Sequence, residues 1–351
     1  MNRTSSLPEV WFAVPGDPET ITGGYIYAKR LTAALRARGW AVHPVALPGG
    51  FPFPSANDLA ETRRILGALP RRATVLIDGL AFGAFTPEVV AGLDLDLVAL
   101  VHHPLARETG LEAATARAFA ERERRALKDA RAVIATSPHT AQLLAAEYGV
   151  AESRLTVAPP GTVPRERARG NPGEPVLLTV ATVTPRKGHD ILVAALAQIK
   201  DLMWTSCIAG SLTRAPETAT ALRTQIAGSG VASRIALAGE VSADALAALY
   251  ANADIFVLPS RYEGYGMVFA DALACGLPIV ACAAGAVVDT VPSAASMLVP
   301  TDDAAALAAA LRKLLTDTTA RRSMADAAWI AGQKLSDWDH TAAMAAKALE
   351  R

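Results

Sequence analysis

The chain has 351 residues, of which 51% are hydrophobic and 19% are charged, and its formal net charge is zero. This length favours two domains, and the composition supports large buried cores and excludes a disordered chain. The balanced charge argues against a general nucleic-acid-binding protein, because such proteins carry a basic excess. Cys207, Cys275 and Cys282 show no Cys-x-x-Cys spacing, and their apolar neighbours predict reduced, buried thiols in a cytoplasmic protein.

Short apolar segments and helix-forming segments alternate along the first half of the chain. The apolar segments show little polar alternation, which is typical of parallel strands buried on both faces. This pattern predicts a doubly wound parallel sheet. The predicted strands are Val10–Val14, Ala41–Leu47, Thr74–Asp78, Leu95–His102, Ala132–Thr136 and Leu155–Ala158.

Two segments that follow strand ends in the first half contain residues suited to ligand contact. Gly23 and Gly24 lie in a loop predicted before a helix at residues 26–38, as a plain turn or as a close approach of backbone to a ligand. Open α/β sheets bind ligands beyond the carboxyl ends of their strands. The segment after the fourth strand is therefore a candidate site, with solvated loop histidines as the alternative; it reads His102-His103-Pro104-Leu105-Ala106-Arg107-Glu108.

A basic helix is predicted at residues 111–131. Its charges predict a solvated helix face, while contact with a phosphorylated acceptor or an anionic membrane at the inner face stays open. No uninterrupted apolar stretch approaches the roughly 20 residues of a membrane span. The basic residues of this helix are Arg117, Arg122, Arg124, Arg125, Lys128 and Arg131.

Residues 165–175 are rich in charged residues, glycine and proline, and are predicted to link two domains. The alternation of strands and helices resumes after this segment and predicts a second parallel sheet. Its predicted strands are Val176–Ala181, Thr205–Ala209, Ile235–Ala238, Asp254–Leu258 and Pro278–Ala281.

The second half concentrates residues suited to a diphosphate and to sugar hydroxyls. A glycine-containing loop leads into a helix at Met267, and the free backbone N–H groups of a helix N-terminus bind anions. Arg186 and Lys187 follow a strand end and suit a diphosphate. Glu263 and Asp271 flank the helix terminus and suit sugar or ribose hydroxyls. Each residue alone fits a solvated loop charge, but together they favour a nucleotide sugar over a hydride cofactor, whose Gly-x-Gly-x-x-Gly fingerprint is incomplete here.

These motifs resemble the retaining GT-B glycosyltransferases of family 4, also called glycosyl transferases group 1. Those proteins carry Glu-Gly-Phe-Gly and Glu-x7-Glu motifs, and this chain has Glu263-Gly264-Tyr265-Gly266 with Asp271 in the second acidic position. The resemblance covers nearly the whole chain. Further matches are Pro185-Arg186-Lys187-Gly188, Tyr250–Ser260, Gly23-Gly24 and His102-His103-Pro104-Leu105.

The resemblance implies an α/β protein with the GT-B fold, in which two Rossmann-like doubly wound parallel-sheet domains face each other across a cleft. Residues 1–165 together with residues 336–351 would form the N-terminal, acceptor-binding domain. Residues 172–335 would form the C-terminal domain, which binds the nucleotide-sugar donor. The last helix would therefore return to the N-terminal domain.

The resemblance also implies an enzyme, a hexosyltransferase-like glycosyltransferase that retains the anomeric configuration. It would move a sugar from a donor such as a UDP- or GDP-sugar to a hydroxyl of a glycan, glycolipid or small molecule, without a metal or another cofactor. Glu263, His103 and Lys187 would be catalytic. Thr182 lies where the family often has an additional arginine, so Arg186 is the candidate for the second cation. The implied donor-binding residues are Gly23, Gly24, Arg186, Lys187, Gly264, Tyr265, Gly266, Met267, Val268 and Asp271, and the acceptor-side residues are His102, His103, Arg107 and Glu108.

Two other functions fit the same motifs. A GT-B sugar-nucleotide epimerase would convert its donor without an acceptor. A non-catalytic bilobal sugar-binding protein would not release nucleoside diphosphate even slowly. Asp94-Leu95-Asp96 has the spacing of a metal-binding motif, but it precedes a strand and predicts a surface turn, so no metal site is expected.

Overall fold

A computed structural model of the chain describes residues 7–351. These residues form two compact units. The first unit contains the described residues up to Gly161 together with Ser336–Arg351, and the second contains Thr162–Leu335. Within the described residues, no helix combines the length and the apolar character needed to cross a membrane.

The first unit is built on a six-stranded parallel sheet with the strand order β2-β1-β3-β4-β5-β6. Helices pack on both faces, because successive side chains of a strand point to opposite sides. The elements are β1 Glu9–Pro15, α1 Gly23–Ala37, β2 Ala41–Leu47, α2 Ala56–Gly67, β3 Ala73–Asp78, α3 Gly79–Phe82, α4 Pro87–Val90, β4 Leu95–Val101, α5 Ala113–Asp129, β5 Ala132–Ala135, α6 Pro138–Tyr148 and β6 Leu155–Val157.

The second unit contains another six-stranded parallel sheet, with the order β12-β11-β10-β7-β8-β9. This is the strand order of dinucleotide-binding Rossmann folds. The elements are β7 Val176–Val180, α7 His189–Ala197, β8 Thr205–Ala209, α8 Pro216–Gly228, β9 Ile235–Gly239, α9 Ala243–Asn252, β10 Ile255–Leu258, α10 Met267–Ala274, β11 Ile279–Cys282, α11 Val287–Thr290, β12 Ser296–Val299, α12 Ala304–Thr316 and α13 Thr318–Gly332.

The last helix, α14 (Trp338–Leu349), belongs to the first unit. Asp337 caps its N-terminus by accepting a hydrogen bond from the backbone N–H of His340, at 2.8 Å. Its small buried face of alanines packs beside α1 in one core cluster. The Thr341 hydroxyl also donates to the carbonyl of Pro159, at 2.7 Å. Small side chains and this part-buried hydrogen bond hold the C-terminal helix against the unit that begins the chain.

Each sheet has a point where the strand order reverses. In the first sheet the reversal lies between β1 and β3, and in the second it lies between β7 and β10. Connections from the two strands at such a point run to opposite faces, which leaves a crevice at their carboxyl ends. The loops after these strands are therefore the places where each unit can hold a ligand.

Several local predictions need correction. The prediction that Gly23 and Gly24 lie in a loop is wrong, because α1 begins at Gly23 and both glycines lie in its first turn. Strand β4 ends at Val101, so both histidines follow the strand. Asp96 lies within β4 and not in a turn, whereas Asp94 precedes that strand.

The segment predicted as a linker, residues 165–175, packs against the second unit. The backbone N–H of Ala168 donates to the carbonyl of Cys275 at 2.8 Å, and that of Arg169 donates to the carbonyl of Ala251 at 2.9 Å. The units divide at Gly161, a few residues before the predicted boundary at residue 165.

The three cysteines are free. Cys275 and Cys282 are buried, whereas Cys207, which was also predicted to be buried, is only half-buried. Its neighbours on β8, Ser206 and Ile208, are both buried, since alternate side chains point to opposite faces of the sheet.

Candidate active site

A buried carboxylate, Glu263, is the centre of a polar cluster at the reversal point of the second sheet. It lies in the loop after β10, is 4% exposed and meets residues from the loop after β7. The Lys187 ammonium donates to Glu263 Oε1 at 2.6 Å, and the Ser260 hydroxyl donates to the same oxygen at 2.6 Å. The Arg186 guanidinium reaches Glu263 Oε2 at 3.4 Å. We call Arg186, Lys187, Ser260 and Glu263 the Glu263 cluster.

The charges of the Glu263 cluster keep its carboxylate ionised. Burial by itself raises the pKa of Glu263, but the positive charges of Lys187 and Arg186 and the hydrogen bonds from Lys187 and Ser260 outweigh this effect. The net pKa lies below the usual value for glutamate. The cluster therefore holds an ionised carboxylate beside two basic side chains in a site largely closed to water.

Backbone hydrogen bonds and glycines hold the two loops of this cluster together. The backbone N–H of Arg261 donates to the carbonyl of Arg186 at 2.7 Å, and the Arg186 side chain donates to the carbonyl of Tyr262 at 2.9 Å. A Cβ on Gly188 would collide with the carbonyl oxygen of Pro259. The close approach that brings Lys187 to Glu263 thus requires glycine at position 188.

Helix α10 begins directly after this cluster. Gly266 precedes it in the left-handed region, with φ of 86°, which glycine adopts without steric cost. The first backbone amides of a helix have no intrahelical acceptor and favour an anion. The candidate residues Gly264, Tyr265, Gly266, Met267 and Val268 form this entry to the helix, and burial raises the pKa of Tyr265 to about 12.

Asp271 lies on α10 and forms an ion pair that the sequence analysis missed. Arg165 contacts Asp271 Oδ1 through Nη2 at 3.0 Å and through Nε at 3.2 Å. The Arg165 guanidinium also lies over the ring of Tyr250, 5.4 Å from its centroid. Arg165 belongs to the segment predicted as a linker, where no local pattern indicates a partner for its charge.

The first unit places His102 beside a buried aspartate. Asp78 ends β3, and its Oδ2 lies 3.2 Å from His102 Nε2. Its other oxygen accepts the backbone N–H of Leu80 at 2.8 Å, which fixes the carboxylate. The rings of Tyr27 and His102 pack in a T-shaped arrangement, with their centroids 5.2 Å apart, and a Cβ on Gly24 would lie 3.5 Å from the imidazole. The structure thus brings Gly24 and His102 together, as two of the predicted site residues.

The other residues of this segment have separate partners. His103 Nε2 lies 3.5 Å from Glu108 Oε2, and both residues line a cavity of about 120 Å³ in the first unit. His102 lines the same cavity. Arg107, by contrast, contacts both carboxylate oxygens of Glu147, at 2.6 and 2.7 Å, and does not line the cavity.

Asp78, Ser260 and Arg165 are the polar residues of these sites that sequence analysis did not single out. Asp78 ends a predicted strand, so the rule that selected the histidines after β4 also applies to it. Ser260 lies three residues before Glu263 and Arg165 lies 106 residues before Asp271. Only the first of these two spacings is a local signal. Over residues 7–351, no group of three or more His, Cys, Asp or Glu side chains is placed to hold a metal ion.

His189, the first residue of α7, is a buried histidine next to the Glu263 cluster. It is 2% exposed, and within the described structure neither ring nitrogen has a hydrogen-bond partner. Burial and then the charge of Lys187 lower its pKa to about 4, against the opposing charge of Asp190. The imidazole is therefore neutral in the folded protein at neutral pH.

We expect His189 to make the protein less stable in acid. Its pKa is about 4 when folded and about 6.5 when unfolded, so the unfolded state binds more protons below pH 6.5. The contribution of neutral His189 to the free energy of unfolding is complete above pH 6.5 and decreases as the pH drops towards 4. At pH 5 the decrease is about 2 kcal/mol. The measurement is denaturant unfolding of wild type and His189→Leu at pH 7.5 and pH 5.

Between pH 7.5 and pH 5, the free energy of unfolding of His189→Leu should fall by about 2 kcal/mol less than that of wild type. His340 is exposed, so His340→Leu is the matched control and should keep the wild-type pH dependence. Equal acid sensitivity of wild type and His189→Leu would contradict the prediction.

Two family models match the chain, and together they extend over both units. The model for glycosyl transferases group 1 matches residues 174–317, and the model for glycosyltransferase family 4 matches residues 21–166. The first match contains the Glu263 cluster and α10, and the second contains Asp78 and the histidines. The chain belongs to the GT-B glycosyltransferases of family 4. It is therefore an enzyme that transfers a sugar.

Curated relatives of this glycosyltransferase are also sugar transferases. The MMP alpha-(1->4)-mannosyltransferase of Mycolicibacterium hassiacum is 27% identical over 322 residues, which cover 86% of this chain and 76% of the relative. The D-inositol 3-phosphate glycosyltransferase of Arthrobacter sp. (strain FB24) is 31% identical over 281 residues, which cover 73% of this chain and 66% of the relative. The match to the D-inositol 3-phosphate glycosyltransferase of Xylanimonas cellulosilytica covers only 55% of that enzyme's length.

Solved structures share the fold of this glycosyltransferase. Sucrose-phosphate synthase from Thermosynechococcus elongatus aligns with a TM-score of 0.82 at 22% identity and covers 97% of this chain and 98% of that one. Anabaena HepE in complex with UDP and glucose aligns with a TM-score of 0.78 at 19% identity, and the match covers 98% of this chain and 100% of HepE. Both matches extend over the two six-stranded sheets and confirm the predicted GT-B fold class.

Proposed function

We propose that this glycosyltransferase transfers a sugar from a nucleotide diphosphate donor to an acceptor hydroxyl, with retention of configuration and without a metal. The observation that carries the proposal is the Glu263 cluster, in which Lys187 and Arg186 converge on one buried carboxylate. The cluster lies where a Rossmann sheet binds nucleotides and next to the start of α10. The UDP complexes of HepE, a protein of the same fold, support this choice of donor.

The donor diphosphate takes its place against Lys187, Arg186 and the start of α10. An ammonium has three donor hydrogens, so Lys187 can contact Glu263 and a phosphate oxygen together. Glu263 then accepts hydrogen bonds from the hydroxyls of the donor sugar, and Asp271 accepts those of the ribose. Charge that develops on the leaving diphosphate is stabilised by groups that are already in position, and such preorganised stabilisation supplies much of the rate enhancement of many enzymes.

The reaction takes place on one face of the donor sugar. The oxygens of Glu263 already accept hydrogen bonds from Lys187, Ser260 and Arg186. This arrangement suits a group that binds sugar hydroxyls more than a nucleophile. We therefore assign attack by the acceptor hydroxyl from the side on which the diphosphate departs. His103 remains the candidate group on the acceptor side, beside His102, whose ring Asp78 orients.

A thermal-shift screen of the full chain against a panel of nucleotide sugars tests this proposal. A true donor at about 100 times its dissociation constant stabilises the folded protein by about 2.7 kcal/mol. The donor found in this way should release its nucleoside diphosphate in the presence of EDTA, and NMR of the product should show the donor's anomeric configuration. An inverted product, loss of turnover on chelation, or conversion of the donor into another nucleotide sugar without an acceptor would each contradict a part of the proposal.

We expect Arg165→Gln to weaken donor binding about tenfold, because it removes a charged hydrogen-bond partner that orients Asp271. KM should rise while kcat changes little, since the ribose does not react. Arg167→Gln is the matched control, because Arg167 lies in the same segment and pairs with the exposed Asp326. Equal donor affinities of wild type and Arg165→Gln would contradict the role of the ion pair.

A further inference from the structure

The cavity of the first unit has a polar side and an apolar side. Asp78, His102, His103 and Glu108 contribute its polar groups. Apolar side chains cover the remainder, and the cavity volume of about 120 Å³ is close to that of a site for one small ring. The apolar residues are Pro52, Phe53, Leu80, Leu105, Leu111 and Phe119.

Two backbone donors of this cavity wall already have carboxyl partners. The N–H of Leu80 donates to Asp78 Oδ1 at 2.8 Å. The N–H of Leu105 donates to Oε2 of Glu123, a side chain that is 1% exposed, at 3.1 Å. Such N–H groups are the usual backbone donors to a bound phosphate. Here the carboxyl groups of Asp78 and Glu123 occupy two of them. Burial raises the pKa of Glu123 to about 8, so this group accepts the hydrogen bond as a neutral carboxyl at neutral pH.

The charges around the cavity also disfavour an anion. Two carboxylates, Asp78 and Glu108, lie in the wall, and no lysine or arginine is among the described residues that line it. Arg107 is close in sequence, but its Nη2 donates hydrogen bonds to both carboxylate oxygens of Glu147. A phosphorylated ligand would therefore meet two carboxylates without a lysine or arginine to offset their charge.

The apolar side presents an aromatic surface. The ring of Phe53 lies 5.2 Å from that of Phe119, and Phe53 is 65% exposed although it is a large hydrophobic residue. An exposed aromatic ring at the rim of a cavity suits the apolar face of a ring or an aglycone. The carboxylates and imidazoles opposite can exchange hydrogen bonds with hydroxyls.

We propose that this cavity binds an uncharged sugar or polyol that carries an apolar group, and that it rejects acceptors phosphorylated at this position. The inference rests on the proposed function, because it names the class of acceptor that the transferase uses. Hydroxyls face Asp78, Glu108 and the histidines, and the apolar group packs on Phe53 and Phe119.

The test uses phenyl α-D-glucopyranoside and its 6-phosphate, which differ only in the charged group. Binding of each probe to the full chain is measured by calorimetry at low salt. We expect the neutral glycoside to bind at least tenfold more tightly than the phosphate. Phe53→Ser should weaken binding of the neutral glycoside about tenfold, and Glu108→Gln should narrow the gap between the two probes.

Met203→Ser is the matched control, because Met203 is also 65% exposed but belongs to the second unit. It should bind both probes like wild type. Equal or tighter binding of the phosphate, binding of neither probe, or unchanged affinity in Phe53→Ser would each overturn the inference. Binding of nucleotide sugars to the same samples is measured in parallel, so that a failure of the donor proposal is seen separately.

Discussion

Replacement of Lys187 by methionine is expected to lower turnover about 100- to 1000-fold. Lys187 is the cation closest to Glu263 and the group that we assign to the leaving diphosphate. Loss of one preorganised group that stabilises transition-state charge typically raises the barrier by about 2.7–4 kcal/mol. The measurement is kcat and KM with the donor identified by the thermal-shift screen, together with the melting temperature of the variant.

The same substitution also leaves Glu263 with one partner fewer in a buried site. Removal of one member of a buried ion pair typically costs about 3–5 kcal/mol of stability, so lower turnover alone would be ambiguous. The double variant Lys187→Met/Glu263→Gln removes the unpaired charge and should recover most of the lost stability. Its turnover should stay low, because the diphosphate still has no lysine.

Lys200→Met is the control for this pair, because Lys200 is exposed and belongs to the same unit. Its turnover and melting temperature should match those of wild type. Turnover of Lys187→Met that equals the wild-type value, in a variant that is folded, would remove Lys187 from the mechanism.

Gly285→Ala is expected to destabilise the second unit by about 4 kcal/mol. Gly285 has φ of 57°, a left-handed conformation that costs an alanine about 1–2 kcal/mol. The added Cβ would also collide with the carbonyl oxygen of Glu263, which accepts the N–H of Ala286 at 2.9 Å. The collision therefore displaces the loop that carries Glu263.

Gly230→Ala separates strain from collision. Gly230 has φ of 74° in the same unit, and a Cβ there would meet no atom within 4 Å. This variant should lose only about 1–2 kcal/mol and keep its turnover. Denaturant unfolding and donor turnover of both variants provide the comparison. Equal destabilisation of the two would show that the contact with Glu263 does not constrain position 285.

Local sequence determines most elements of the second unit, with five of its six strands predicted and only β12 missed. Helix α10 begins at Met267, as predicted, and ends at Ala274. Glycines before and after the helix provide left-handed backbone at both ends, and this signal is contained within a few residues. The residue types of Glu263, Lys187 and Arg186 also predict a site for an anion and hydroxyls before any contact is known.

Tertiary packing decides what the local signals leave open. Gly23 and Gly24 have low helix propensity, yet α1 begins at Gly23, since its buried residues Tyr27, Leu31 and Leu35 anchor the helix to the sheet. The last helix joins the first unit through contacts with residues far away in sequence, such as Pro159.

The partners of the site residues are likewise decided by the tertiary structure. Arg165 reaches Asp271 across 106 residues, and Asp78 reaches His102 across 24. Sequence therefore determines which chemical groups the chain contains and where each strand or helix ends. The order of strands in each sheet determines which of these groups meet, because ion pairs and hydrogen bonds depend on distances between loops that no local pattern encodes.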